Sequence, residues 1–141
     1  MRILGIDFGE KRIGIAVSDI YKQMAFPHEV IQFKNIPYLL QELTRILKDK
    51  EIDTIVLGLP KTLQGAVGIA AEGVIDFKKV LEQHFSLPII LWDERLSSKL
   101  VEKQLIAMDV SRKRRKETID AMAAQVILQG YLDKLRKVSK E

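Results

Sequence analysis

Apolar positions along the chain alternate between two periods, and the changes of period mark out its elements. The runs Ile3 to Phe8 and Arg12 to Ser18 are short and bracket the polar stretch GEK, which predicts two antiparallel strands joined by a tight turn. In the second run Ile13, Ile15 and Val17 fall on one face, while Gly14, Ala16 and Ser18 on the other leave room for a close neighbour. A third strand is expected over Ala25 to Phe33, and Pro27 within it marks a sheet edge. Leu39, Leu40, Leu43, Ile46 and Leu47 then recur at helical spacing behind Pro37, a residue suited to a first helical turn. The segment DTIVLGLP is apolar on both faces, as in a buried strand, and its glycine and proline end it. After a loop holding Gly65 and Gly68, helical spacing returns at Ala70, Val74, Phe77 and Leu81, and LPIILWDE supplies a fifth strand. Two further helices are expected, Ser97 to Met108 and Glu117 to Leu135. Between them SRKRRK carries consecutive basic side chains, whose repulsion predicts an extended, mobile segment unless an anion gathers it.

The order β-β-β-α-β-α-β-α-α defines an α/β fold with a mixed five-stranded sheet flanked by helices. The first strand lies centrally, and the later strands are parallel and reached by right-handed crossovers. In such sheets ligands gather at the carboxyl ends of the parallel strands. Asp7 closes the first strand, and Asp93 and Glu94 close the fifth. A third acid, Asp120, falls in the first turn of the last expected helix, beside a buried face of Ile119, Met122, Ala123 and Val126. The paired Ala123 and Ala124 permit a close approach to the sheet, and so a convergence of Asp120 on Asp7.

Composition narrows the class. A chain of 141 residues, 47% hydrophobic and 30% charged, with no repeat or linker, is expected to form one domain spanning residues 1–141. The absence of cysteine excludes a disulfide framework and a thiolate metal site, and makes the cytoplasm the expected compartment. No stretch approaches the roughly 20 apolar residues of a membrane span. A net charge of +4 permits a polyanionic partner without requiring one.

Taken singly, the acids have ordinary explanations: Asp7 as a turn residue, Asp120 as a helix-dipole partner, Glu94 paired with Arg95, Asp93 as a helix cap. Together they point elsewhere. If Asp7, Glu94 and Asp120 meet, three like charges stay ionised only when a cation joins them. Carboxylates with water suit Mg²⁺ or Mn²⁺, and two such ions about 4 Å apart hold the attacking and leaving oxygens of a phosphodiester. The basic residues suit phosphate contacts: Lys11 and Arg12 across the turn from Asp7, Arg95 beside Glu94, and Arg112, Lys113, Arg114, Arg115 and Lys116 ahead of Asp120. Trp92 and Phe8 fit either base stacking or the core.

The motifs GIDFGEKRIGIAVSD, GLP with its glycine-bearing loop, DERLSS and IDAMAAQVILQGYL resemble, in order and over nearly the whole chain, the YqgF family, also called RuvX. The resemblance implies an RNase H-like fold and a nuclease that matures the 5′ end of 16S rRNA, in a family earlier associated with Holliday junction resolution. It implies catalytic, metal-holding acids at Asp7, Glu94 and Asp120, with Lys116 matching a lysine four residues before the last acid. Where many relatives carry glycine next, this chain has Glu117. The implied partner is pre-16S rRNA, with branched DNA as the alternative, and the expected state is a monomer or weak homodimer. Two other readings stay open. GIDFG also resembles the phosphate-binding hairpin of actin-like and sugar-kinase ATPases, although those enzymes close two such domains around ATP. An RNase H-like module that binds RNA without cutting it would use the same basic residues.

Overall fold

A computed structural model describes residues 1–59, 69–93 and 112–140. Its elements in chain order are β1 (Arg2–Phe8), β2 (Arg12–Ser18), β3 (Ala25–Gln32), α1 (Ile36–Asp49), β4 (Ile52–Leu59), α2 (Ile69–His84), β5 (Ile89–Asp93) and α3 (Arg112–Lys140). The five strands form one sheet in the order β3-β2-β1-β4-β5. β1 is antiparallel to β2 and parallel to β4, and β4 is parallel to β5. The first strand is therefore central and the Pro27 strand lies at an edge, as the sequence pattern predicts. The helix expected over 97–108 and the loop with Gly65 and Gly68 lie outside the described residues.

Strand alternation divides the core in two. Leu4, Ile6, Ile13, Ile15, Val17, Ile55 and Leu57 face α1 and α2, where Leu39, Leu43, Ile46, Val74, Phe77 and Leu81 close over them. The helical spacing that predicts α1 is thus the spacing of its buried face, and the helix starts where the Asn35 side chain accepts the Tyr38 N–H at 2.8 Å. On the other face Ile3, Ala16, Ala25 and Val56 meet Ala124, Ile127, Leu128 and Leu132 of α3. The small residues of β2 do receive a close neighbour.

Two sequence expectations about α3 are corrected. The basic run does not form an extended segment: the helix begins at Arg112, so Arg112 to Lys116 are its first residues and Asp120 lies in its third turn, not its first. Arginine and lysine are good helix formers, and repulsion between solvated like charges amounts to a few tenths of a kcal/mol per pair, too little to unwind a helix anchored further along. The buried stripe also differs. Val126 is 38% exposed, and the buried positions are Ala123, Ala124, Ile127, Leu128 and Leu132, which at 3.6 residues per turn share one face that excludes Val126, the two alanines letting the backbone approach.

One buried polar group ties the ends of β1 and β2 together. Ser18 is 2% exposed; its Oγ accepts the Ile3 N–H at 2.8 Å and donates to the Asp19 carbonyl at 2.9 Å. Ser18→Ala leaves a buried N–H without its acceptor, so it is expected to cost about 1–3 kcal/mol. Urea unfolding should show this as a lowered midpoint at unchanged slope.

Candidate active site at the carboxyl end of β1

Gly5 fixes which way β1 faces. A Cβ on Gly5 would stand 2.8 Å from the Leu128 Cβ and 3.2 Å from the Ala124 carbonyl oxygen, so this face of β1 lies directly under α3. Side chains two apart on a strand share a face, so the half-buried Asp7 belongs to the α3 side, at the end of the strand.

The residues flanking Asp7 in the sheet are both glycines. On β2 its partner is Gly14. On β4 the parallel register runs through Ile6↔Leu57, so Gly58 comes alongside Asp7. Beyond Gly58 stands Trp92 of β5. On this face Asp7 therefore has a glycine as its neighbour in each adjoining strand, the strands being about 4.8 Å apart. One row lower the same face carries Ala16, Gly5 and Val56, covered by α3.

The two acids of the described strand ends do not share this face. Asp93 pairs with Leu59, whose side chain belongs to the α1 and α2 core, so Asp93 is directed away from Asp7. Trp92 is on the Asp7 side, edge-on to Tyr131 at 5.9 Å between ring centroids, with the Lys134 Nζ 5.4 Å from its ring centre. Gly130 admits it: a Cβ there would lie 3.0 Å from the indole nitrogen. Phe8 is a core residue, stacked on Phe77 at 4.3 Å.

The β1–β2 hairpin brings its basic residues to the same end of the sheet. The Gly9 N–H donates to the Arg12 carbonyl at 3.2 Å, and a Cβ on Gly9 would be 2.5 Å from that oxygen, so only glycine fits this turn. The Phe33 N–H donates to the Lys11 carbonyl at 2.9 Å and ties the hairpin tip to the end of β3. Lys11 is exposed and Arg12 half-buried. Glu94 and Arg95 lie outside the described residues, as do the side chains of Arg112, Lys113, Arg114, Arg115, Lys116 and Asp120. Among the described residues no three acidic or histidine side chains gather as a metal site, and no helix is long and apolar enough to cross a membrane.

The sequence pattern marks Gly58 only as a strand terminator, and the one sign of a role for Gln125 and Gln129 is their spacing. Those glutamines pin α3 to the edge strand: the Ala25 N–H donates to Gln129 Oε1 at 2.8 Å, and Gln125 Nε2 donates to the Ala25 carbonyl at 3.0 Å. Polar residues spaced i, i+4 beside an apolar stripe are the trace such a contact leaves in a sequence.

Comparison with solved structures gives the class. The chain superposes on RuvC of T. thermophilus in complex with a Holliday junction substrate with a TM-score of 0.60, at 12% identity and 96% coverage of both chains. It superposes on the fowlpox virus resolvase, solved with Holliday junction DNA, with a TM-score of 0.58, at 15% identity, covering 96% of this chain and 99% of that one. The fold is that of the RuvC-like, RNase H-type resolvases. The sequence then narrows this to one family. Residues 1–134 match the RuvX model, described as Holliday junction resolvase. A protein of Geobacillus sp. (strain WCH70) named "Putative pre-16S rRNA nuclease" is 52% identical over 135 residues, 94% of this chain and 98% of its own length. One of the same name from Bacillus subtilis (strain 168) is 50% identical over 137 residues, 96% and 99% of the two chains. The chain belongs to the RuvX family.

Proposed function

We propose that this protein is a divalent-metal-dependent nuclease that hydrolyses phosphodiester bonds in RNA, acting in maturation of the 5′ end of pre-16S rRNA. The observation that carries this reading is the row Gly14, Asp7, Gly58: one carboxylate at the end of a central strand, with a glycine on each side in the sheet where a fold built only for stability would place apolar side chains. Family membership and the names of the close relatives support the reaction class, a hydrolase acting on ester bonds, and supply the substrate.

The acids assigned to the site are Asp7, Glu94 and Asp120. Trp92 shares the Asp7 face, and strand alternation returns to that face two positions on, which is the position of Glu94 in the sequence. Asp120 precedes Ala124 by one helical turn, about 6 Å along the helix, and Asp7 follows Gly5 by about 7 Å along the strand. Since Ala124 and Gly5 are in contact, those matched displacements support a meeting of the two acids. Hard oxygen donors suit Mg²⁺ or Mn²⁺. When bound, the ion supplies electrophilic stabilisation of a phosphoryl oxygen and lowers the pKa of a water. The carboxylates fix its position. Lys11, Arg12, Arg95, Arg112, Lys113, Arg114, Arg115 and Lys116 hold the phosphate backbone and orient the strand. A cytoplasmic location and a monomer or weak homodimer complete the reading.

Branched DNA is the second substrate, favoured by the fold of the resolvases and by the description of the family model. The test offers the purified protein a labelled 16S rRNA precursor and a four-way DNA junction in parallel, each with Mg²⁺, Mn²⁺ or EDTA. Metal-dependent cutting of the precursor alone is the expected result. Cutting of the junction alone would transfer the activity to DNA, and binding without cutting of either would leave a recognition module.

A further inference from the structure

Five of the six exposed large hydrophobic side chains among the described residues lie together, far from Asp7. Met1, Ile20, Tyr21, Met24 and Phe26 are 51 to 75% exposed, Tyr21 the most. Three of them, Ile20, Tyr21 and Phe26, line a depression of about 410 Å³ whose walls also include Arg2, Asp19, His28 and Lys50. Arg2 opens β1 and Asp7 ends it, so the depression and the acid stand at opposite ends of the strand, about 16 Å apart.

The charges around this patch favour an anion. Arg2 and Lys50 line it, the Arg2 guanidinium donating to the Lys50 carbonyl at 3.1 Å. Of the nearby carboxylates, Asp53 is paired with Lys22 at 2.8 Å, and Asp19, which also lines the depression, is held ionised by the Gln23 and Met24 N–H groups at 2.8 and 3.1 Å, so two lining cations stand against one lining carboxylate. Exposed rings beside cations make up the platform on which single strands stack. The patch is also connected to the proposed active site. β3 leaves it at Ala25 and ends at Gln32, which pairs with Arg12 of the hairpin beside Asp7. Along that edge His28, Gln32 and Lys34 are exposed, and the one acid, Glu29, is bridged by Arg45 at 3.0 Å.

We propose that the patch is a second binding site for single-stranded nucleic acid: Tyr21 and Phe26 stack on bases, Arg2 and Lys50 meet phosphates, and the strand follows the edge of β3 to the Asp7 end. This rests on the nuclease reading and adds to it a site that grips substrate away from the scissile bond. Stacking and phosphate contacts do not read the 2′-hydroxyl, so RNA and DNA strands of one sequence should both use it.

The test is fluorescence anisotropy with a labelled single-stranded RNA of about 20 nucleotides and its DNA counterpart, in EDTA so that nothing is cut. Tyr21→Ala and Phe26→Ala should each weaken both ligands at least fivefold, the equivalent of one lost stacked base, and Tyr21→Phe should not. Arg2→Gln and Lys50→Gln should each reduce the salt slope by about 0.7. Melting temperatures of the ring variants should be unchanged, since both rings are exposed. Unchanged affinity in both ring variants would overturn the proposal and assign the rings to a protein contact. Cleavage of the precursor by the wild type, with affinity unaffected by the ring substitutions, would leave the nuclease reading standing and remove this site alone. A wild type that neither binds nor cuts would remove both.

Discussion

Asp7→Asn is expected to reduce cleavage of a 16S rRNA precursor by about a thousandfold or more, the equivalent of several kcal/mol of lost electrostatic stabilisation. The substitution keeps volume and shape and removes one negative charge from the end of β1. Both neighbours of Asp7 in the sheet are glycines, so neither adjoining strand offers a carboxylate in that row to replace it. The loss should therefore resemble what EDTA does to the wild type, and added Mn²⁺ should restore little. Affinity for the RNA should change by less than tenfold, because the basic residues carry binding. Thermal unfolding and circular dichroism should match the wild type. A folded Asp7→Asn protein that cuts at the wild-type rate would remove Asp7 from the chemistry, and the nuclease reading would need another acid.

How far the sequence reveals this site depends on which distances local pattern can encode. Period-two alternation in IGIAVS predicts which face of β2 is small, and the structure lays α3 against that face at Ala16. The same alternation separates Asp93 from the Asp7 face once the strands are paired. The pairing itself is the step that pattern cannot supply. Gly58 reaches Asp7 because β4 pairs with β1 in one register, shifted by an irregularity between Arg2 and Ile3. A slip of one residue would set a leucine there instead. Nothing within DTIVLGLP announces that register, so its glycine reads as a terminator. The basic run is helical, against its local pattern, for a related reason. Repulsion among five cations is visible locally, whereas the packing of Ala123 to Leu132 that holds the rest of α3 is a long-range effect and outweighs it.

Gly5 lies directly under α3, and its substitution is expected to have a large effect on stability. A methyl group there meets the Leu128 Cβ at 2.8 Å and the Ala124 carbonyl oxygen at 3.2 Å. Neither is the free end of a flexible side chain, so the helix must move as a body. Replacing glycine stabilises a chain by about 0.4–1 kcal/mol through the unfolded state, whereas overpacking a core costs about 1–3 kcal/mol. The clash should win. Gly5→Ala is expected to lower stability by about 1–2 kcal/mol, and Gly5→Val by about 3 kcal/mol or more, since it adds two further carbons at the same contact. At roughly 3 °C per kcal/mol for a chain of this size, the valine variant should melt about 10 °C lower. Gly73 of α2 provides the control: it is exposed, with nothing within 4 Å of a Cβ, so Gly73→Ala should gain about 0.5–1 kcal/mol from helix propensity alone. The Gly5 variants should also lose cleavage at temperatures where they remain folded, because displacing α3 carries Asp120 with it. Full activity in a folded but destabilised Gly5→Ala protein would show that α3 serves only the core, and would separate Asp120 from the metal site.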